Sequence, residues 1–350
     1  DASYSNTTGN SNSAFGHEAL KDNDAGYQNA AFGYKALEDN LTNANTAFGA
    51  YAAALTTTGG SNTAIGRSAL YANQTGSSNT AIGYNTLVNN TASLNTAIGS
   101  QALNANTTGA NNTAVGTNAL DANQTGQDNV AVGANALTAA TGNYNTAVGF
   151  VAMNSTTTGT RNTGIGRGAL NGNTTGSRNI GVGYGALSSN AAANDNVAVG
   201  YDALSLNTSG IYNVAVGNYA LDAATTADNN TAIGYNSGTA LTTGDNNVCI
   251  GSEAGEALTT APDVVAIGYQ ALNSATSLYD WGKTIAIGSQ AFYNSTVCSS
   301  SVGIGYQAFY ANTSSGGAFT GVGHQVFKAN TTGSNNTGFG YNAGKSTTTG

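Results

Sequence analysis

The chain has 350 residues, of which only 7% are charged, 48 are glycine and one is proline, among long stretches of Asn, Thr, Ser and Ala. That is foreign to an ordinary enzyme, yet 40% apolar residues and a net charge of only −8 also exclude a solvated, disordered chain. Mild acidity without any basic cluster excludes an electrostatic footprint for nucleic acid or an anionic membrane, and no run of about 18 apolar residues is present to cross a bilayer as a helix.

Self-similarity organises the chain. The pattern Asn-Thr-Ala-Ile/Val-Gly recurs in twenty units, its closing glycine falling first at Gly16 and last at Gly340. Of the nineteen intervals between these glycines, fourteen are 17 residues, three are 16, one is 18 and one, from Gly268 to Gly288, is 20. Each unit predicts one short strand ahead of its glycine. The residue before the glycine is always Ile, Val or Phe, and the third before it is Thr in ten units and Val or Ile in eight. Equal parity and β-branching make these one strand face. Between them stands Ala in fourteen units, Gly in five and Cys249 in one. This small-residue column reads either as an exposed, closely approachable stripe for parallel self-association, or as the filling of a narrow interior.

After each glycine a second buried step follows at the fourth position, from Leu20, Leu37 and Leu70 to Phe292, Phe309 and Phe327. The remainder, as in Asn330 to Asn335, is wide-turn chemistry. One unit cannot stand alone: burying an Ile and a Leu yields roughly 3–6 kcal/mol, against on the order of 17–34 kcal/mol for fixing 17 backbones. Helical hairpin repeats need longer units and better helix formers. The fold class expected is therefore all-β: a single continuous β-solenoid over 1–350 of about twenty 17-residue coils. Stacked at about 4.8 Å, they would form a rod of roughly 95 Å.

Units such as Asn196-Val197-Ala198-Val199-Gly200 and Thr284-Ile285-Ala286-Ile287-Gly288 resemble the head repeat of trimeric autotransporter adhesins, the YadA-like head. The array is also similar to repeats of phage tail-fibre proteins and large bacterial surface proteins. The resemblance implies a left-handed β-roll, commonly three parallel chains side by side, in a fibre or adhesin that is extracellular, on a cell surface or on a virion surface. The adhesin repeat is shorter than this one, and trimerisation rests on the analogy alone.

Asn occupies the fourth position before the glycine in fifteen consecutive units: Asn12, Asn29, Asn45, Asn62, Asn79, Asn95, Asn112, Asn129, Asn145, Asn162, Asn179, Asn196, Asn213, Asn230 and Asn247. The reading is a structural ladder of amides rather than a recognition face. The column breaks at Val264, Thr284, Ser301 and Phe319, and the spacing becomes irregular there, so coils over 252–325 are expected to be less regular.

Candidate sites are few. Aromatics follow the glycine at Tyr34, Tyr84, Tyr184, Tyr201, Tyr235, Tyr269, Tyr306 and Tyr341, a stripe that covers apolar edge or stacks on a carbohydrate or cell-surface ligand. Asn73, Asn106, Asn123, Asn173, Asn207, Asn312 and Asn330 each open an Asn-x-Ser/Thr turn and are possible glycan acceptors. No catalytic, metal or cofactor site is expected. His17 and His324 would lie roughly 86 Å apart by coil stacking, and the acidic residues Glu18, Asp22, Asp24, Glu38 and Asp39 read as a solvated face. Cys249 and Cys298, about 14 Å apart on the same count, exceed the roughly 7 Å a disulfide spans, leaving only an interchain bond. The chain opens on Asp1-Ala2-Ser3 and closes in a wide turn at Gly350, reading as a slice of a longer protein or as a subunit stacking end to end.

The functional expectation is a non-enzymatic fibre or adhesin segment that holds length and presents a repetitive surface. An ice- or surface-binding solenoid and a tail-fibre shaft are the alternatives. The broken Thr column speaks against ice, and the missing carboxylate cluster against a β-helix carbohydrate enzyme.

Overall fold

The computed structural model describes residues 2–3, 5–274, 283–295, 300–312 and 318–348. It divides into two compact units, residues 1–175 and 176–350. Each is a parallel β-solenoid, and no helix occurs among the described residues. The first unit carries ten three-residue strands, from β1 (Ser13–Phe15) to β10 (Thr163–Ile165), and the second another ten, from β11 (Ile180–Val182) to β20 (Thr337–Phe339).

Every strand ends on the residue before a repeat glycine, and successive strands within a unit pair residue for residue. Thr63, Ala64 and Ile65 face Thr80, Ala81 and Ile82. The 20-residue interval does not shift the register, since Val265 still faces Ile285 and Ile267 faces Ile287. Much of that expected insertion falls on 275–282, outside the described residues. Pairing also continues around the coil: the Leu103 N–H donates to the Ala119 carbonyl at 3.0 Å, and the Thr57 N–H to the Gln74 carbonyl at 3.2 Å.

The repeat glycine is the one residue with no substitute. Its φ lies between 113° and 145° in all twenty units, a region that side chains exclude. A Cβ on Gly116 would also sit 2.5 Å from the carbonyl oxygen of Gly133 in the next coil. Four residues on, the chain turns left-handed again, and here leucine tolerates it: φ is 51° at Leu20 and 50° at Leu103. A left-handed residue costs about 1–2 kcal/mol, offset by the roughly 1.5–3 kcal/mol of burying the leucine side chain completely.

The sidedness of the strand inverts one sequence reading. The Ala and Gly column between the β-branched positions is not an exposed stripe; Ala31, Ala64 and Ala114 are 0% accessible. It fills the interior together with the alanine and leucine that follow each glycine. The Ile, Val and Phe before the glycine, expected to be buried, instead face outward, with Phe15 75% and Phe48 60% exposed. Seventeen residues enclose so thin a coil that only a Cβ fits where the strand points inward.

Interior volume is matched between neighbouring coils. Where the fourth position carries a larger residue than leucine, the next strand has glycine instead of alanine: Met153 packs under Gly164, Phe292 under Gly303, Phe309 under Gly321 and Phe327 under Gly338. A Cβ on Gly303 would come within 2.3 Å of Phe292 Cε2. The phenylalanines stack, with centroids 5.0 Å apart for Phe292 and Phe309 and 5.4 Å for Phe309 and Phe327. Where the fourth position shrinks to glycine, other side chains close in: a Cβ on Gly255 would lie 2.9 Å from Leu258 Cδ1, and one on Gly238 3.1 Å from Leu221 Cδ2.

Candidate functional surface

Three sets of side chains run from coil to coil: buried amides, outward sheet residues and aromatics. The asparagines of this column are 0–1% accessible from Asn29 to Asn247. Each Oδ1 accepts the backbone N–H of the asparagine one coil on, as from Asn62 to Asn45 at 2.8 Å and from Asn129 to Asn112 at 3.0 Å. Each Nδ2 donates to a carbonyl of the wide turn, as from Asn112 to Gly126 at 2.8 Å. One side chain thus satisfies a buried donor and a buried acceptor and pins the strand to the turn. Val264 and Phe319 occupy the position without an amide, yet the Val264 N–H still donates to Asn247 Oδ1 at 2.9 Å.

A second amide column lies in the wide turn, and it corrects the glycan reading. Asn73, Asn106, Asn123, Asn173, Asn207, Asn312 and Asn330 are all 0% accessible. Asn73 Nδ2 donates to the Gly76 carbonyl at 2.7 Å, and Asn123, Asn207 and Asn330 each donate to an Asn Oδ1 one coil back at 2.9–3.0 Å. The nitrogen a glycan would join points into the coil, so glycosylation of these seven is incompatible with the packing. The Asn-Thr-Thr-Gly turn is built for its own closure.

The aromatics after the glycine are exposed, from Tyr34 and Tyr84 through Tyr184, Tyr201, Tyr235, Tyr269 and Tyr306 to Tyr341. Several lean on each other. Tyr184 and Tyr201 lie parallel at 5.1 Å, and Tyr219 bridges Tyr201 to Tyr235 edge-on at 5.3 and 6.2 Å. His17 stacks on Tyr34, and His324 lies between Tyr306 and Tyr341 at 5.1 and 4.8 Å. Both histidines are therefore rungs of aromatic stacks. Tyr84 instead faces the Arg67 guanidinium at 5.9 Å.

A half-buried glutamine ladder was not anticipated. Gln290 Nε2 donates to Gln270 Oε1, Gln307 to Gln290 and Gln325 to Gln307, at 2.9–3.0 Å, and the chain of amides ends with Gln270 donating to the Glu253 carboxylate at 2.7 Å. The signal was legible as Gln at the second position after four successive glycines.

Glu18, Lys21, Lys35 and Glu38 make a half-buried ion network, with Lys35 Nζ 2.8 Å from Glu38 and 3.2 Å from Glu18. The hydrogen bond from Lys35 holds the Glu18 carboxyl below its usual range. Burial pushes the Cys249 thiol up to about 12, which leaves it protonated and unreactive at neutral pH. Cys298 lies outside the described residues. No group of three His, Cys, Asp or Glu side chains able to hold a metal occurs among the described residues, and no helix there is long and apolar enough to cross a membrane.

No protein-family profile matches the chain, and no curated protein is similar to it.

Proposed function

We propose that this chain is a structural, extracellular fibre or adhesin segment, of the adhesin-head or tail-fibre-shaft kind, whose coils hold length and present one surface many times over for multivalent attachment. The observation that supports it is the outward face of the sheet. In the second unit the residue before the glycine is aliphatic or Phe in every strand, and the third position before it is also aliphatic from Ile180 to Val302 save for Thr231. Ile180, Val199 and Ile233 are each 36–40% exposed. Such a face is covered by parallel self-association, and identical weak contacts repeated coil after coil gain avidity without one strong site.

Native mass measurement with electron microscopy of the same preparation tests this. The expected particle is elongated and contains more than one chain. Lysines placed outward, as Val197→Lys with Val214→Lys, should reduce it to a single chain that keeps the wild-type circular-dichroism spectrum. A wild-type particle of one chain at micromolar concentration, or a compact one, would overturn the reading.

A further inference from the structure

The outward face of the first unit differs in chemistry from that of the second, and the difference points to a ligand. From Thr46 to Thr163 the third residue before the glycine is threonine in every strand except at Val130, while the residue before the glycine is Phe48 and then Ile or Val up to Ile165. Neither column holds a charged residue. Strand pairing in register sets the two columns in parallel ranks, with neighbours about 4.8 Å apart along a rank and about 6.6 Å across the strand.

Three observations say what these ranks are for. First, the hydroxyls of the ranked threonines make no hydrogen bond within the protein. The wide-turn threonines use theirs, Thr57, Thr107 and Thr157 donating to the carbonyl one coil on at 2.8, 2.9 and 3.0 Å. Second, the fold does not require threonine there, because Val197, Val214 and Val248 form the same strands with the same pairing. Third, seven hydroxyls closed into a dry interface with a second chain would each lose hydration without a partner, at about 1–3 kcal/mol apiece. A surface made of water meets the requirement without that penalty.

We propose that the threonine and aliphatic ranks of residues 46–165 bind ice. Threonine methyls and the neighbouring Ile and Val side chains order the water over the face, and the free hydroxyls anchor that ordered layer. Each rung contributes little, so recognition needs a ligand that is itself a regular array, which a crystal supplies. Seven of the eight Val or Ile residues that break the threonine column over the whole chain lie in the second unit; the eighth, Val130, keeps the branched shape and removes one anchor. This site lies on other residues than the self-association face and goes beyond the fibre reading.

The test is thermal hysteresis and ice-crystal shape, measured on the full chain. Wild-type protein should shape crystals and open a gap between melting and freezing points. Thr80→Tyr with Thr113→Tyr, which puts bulk above the ranks, should lose both with an unchanged circular-dichroism melt. If that pair unfolds, Thr96→Lys serves the same purpose. Val197→Lys with Val214→Lys, on the second unit, should retain activity. The assignment is overturned by an inactive folded wild type, by activity that survives the substitutions on the ranks, or by loss in the second-unit control. Particle mass and shape are read separately on the same samples, so either proposal can fail without the other.

Discussion

The two units share one backbone and spend their side chains differently. In both, a glycine closes each strand and an inward Ala or Gly is all the interior admits, Cys249 excepted. Yet the outward position is threonine in seven of ten strands of the first unit and Val or Ile in seven of ten of the second. Inside, the second unit trades Leu over Ala for Phe under Gly in its last coils, as at Phe309 and Gly321. Geometry is thus specified by a few columns, and the outer face and the division of interior volume are left free. A solenoid can change what it presents without changing how it stacks.

The comparison should vanish where the backbone itself is changed. Gly116→Ala in the first unit and Gly217→Ala in the second both force a side chain onto a φ near 137° and against a neighbouring carbonyl, and each should cost at least about 3 kcal/mol in a denaturant melt. Equal loss in both units is expected; tolerance in either would show that the glycine column is not what fixes the coil. The comparison should reappear in the interior. Gly321→Ala introduces a Cβ 2.4 Å from Phe309 Cε2 and should cost about 1–3 kcal/mol, whereas alanine is the resident at the equivalent Ala114. Adding Phe309→Leu should recover most of that loss, and a double-mutant cycle without coupling would refute volume matching between coils.

Much of this was legible in the sequence, for reasons that also set its limits. A period of 17 and the invariant Gly16-to-Gly340 column give the strands and their register, because stacking must bring like residues together. Sidedness was not legible. Alternation gives two faces, and β-branched residues ordinarily mark the buried one, but a coil this narrow has room inward only for the Cβ of Ala64, so Ile65 turns outward. The wide-turn asparagines misled for a related reason: Asn73 and Asn123 have the glycan-acceptor pattern, and only the coil's closure shows the amide turned inside. The Tyr column was read on the surface, where it lies, but ring-on-ring stacking such as Tyr184 with Tyr201 depends on rotamers no spacing reveals.

The smallest expected effect compares one position across the units. Asp121 and Asp222 stand five residues after their glycines, each with a threonine at the same position one coil on. In the second unit Thr239 donates its hydroxyl to Asp222. In the first, Thr138 donates to the Asn135 carbonyl at 3.0 Å instead, and Asp121 Oδ1 is left buried without a partner. Burial accordingly raises the Asp121 carboxyl above its usual range, with the backbone N–H groups of Ala122 and Asp121 offsetting part of the shift. A carboxyl that titrates higher folded than unfolded destabilises the fold above its folded pKa, and the penalty fades as pH falls below the ordinary carboxylate range, where both states are protonated. Asp121→Asn should therefore raise the melting temperature slightly at pH 7 and leave it unchanged near pH 3. Asp222→Asn should give no gain at either pH, since an amide oxygen still accepts from Thr239 while the charged acceptor is lost. A gain at Asp222 equal to that at Asp121 would mean that removing charge, rather than freeing a stranded oxygen, is what stabilises the coil.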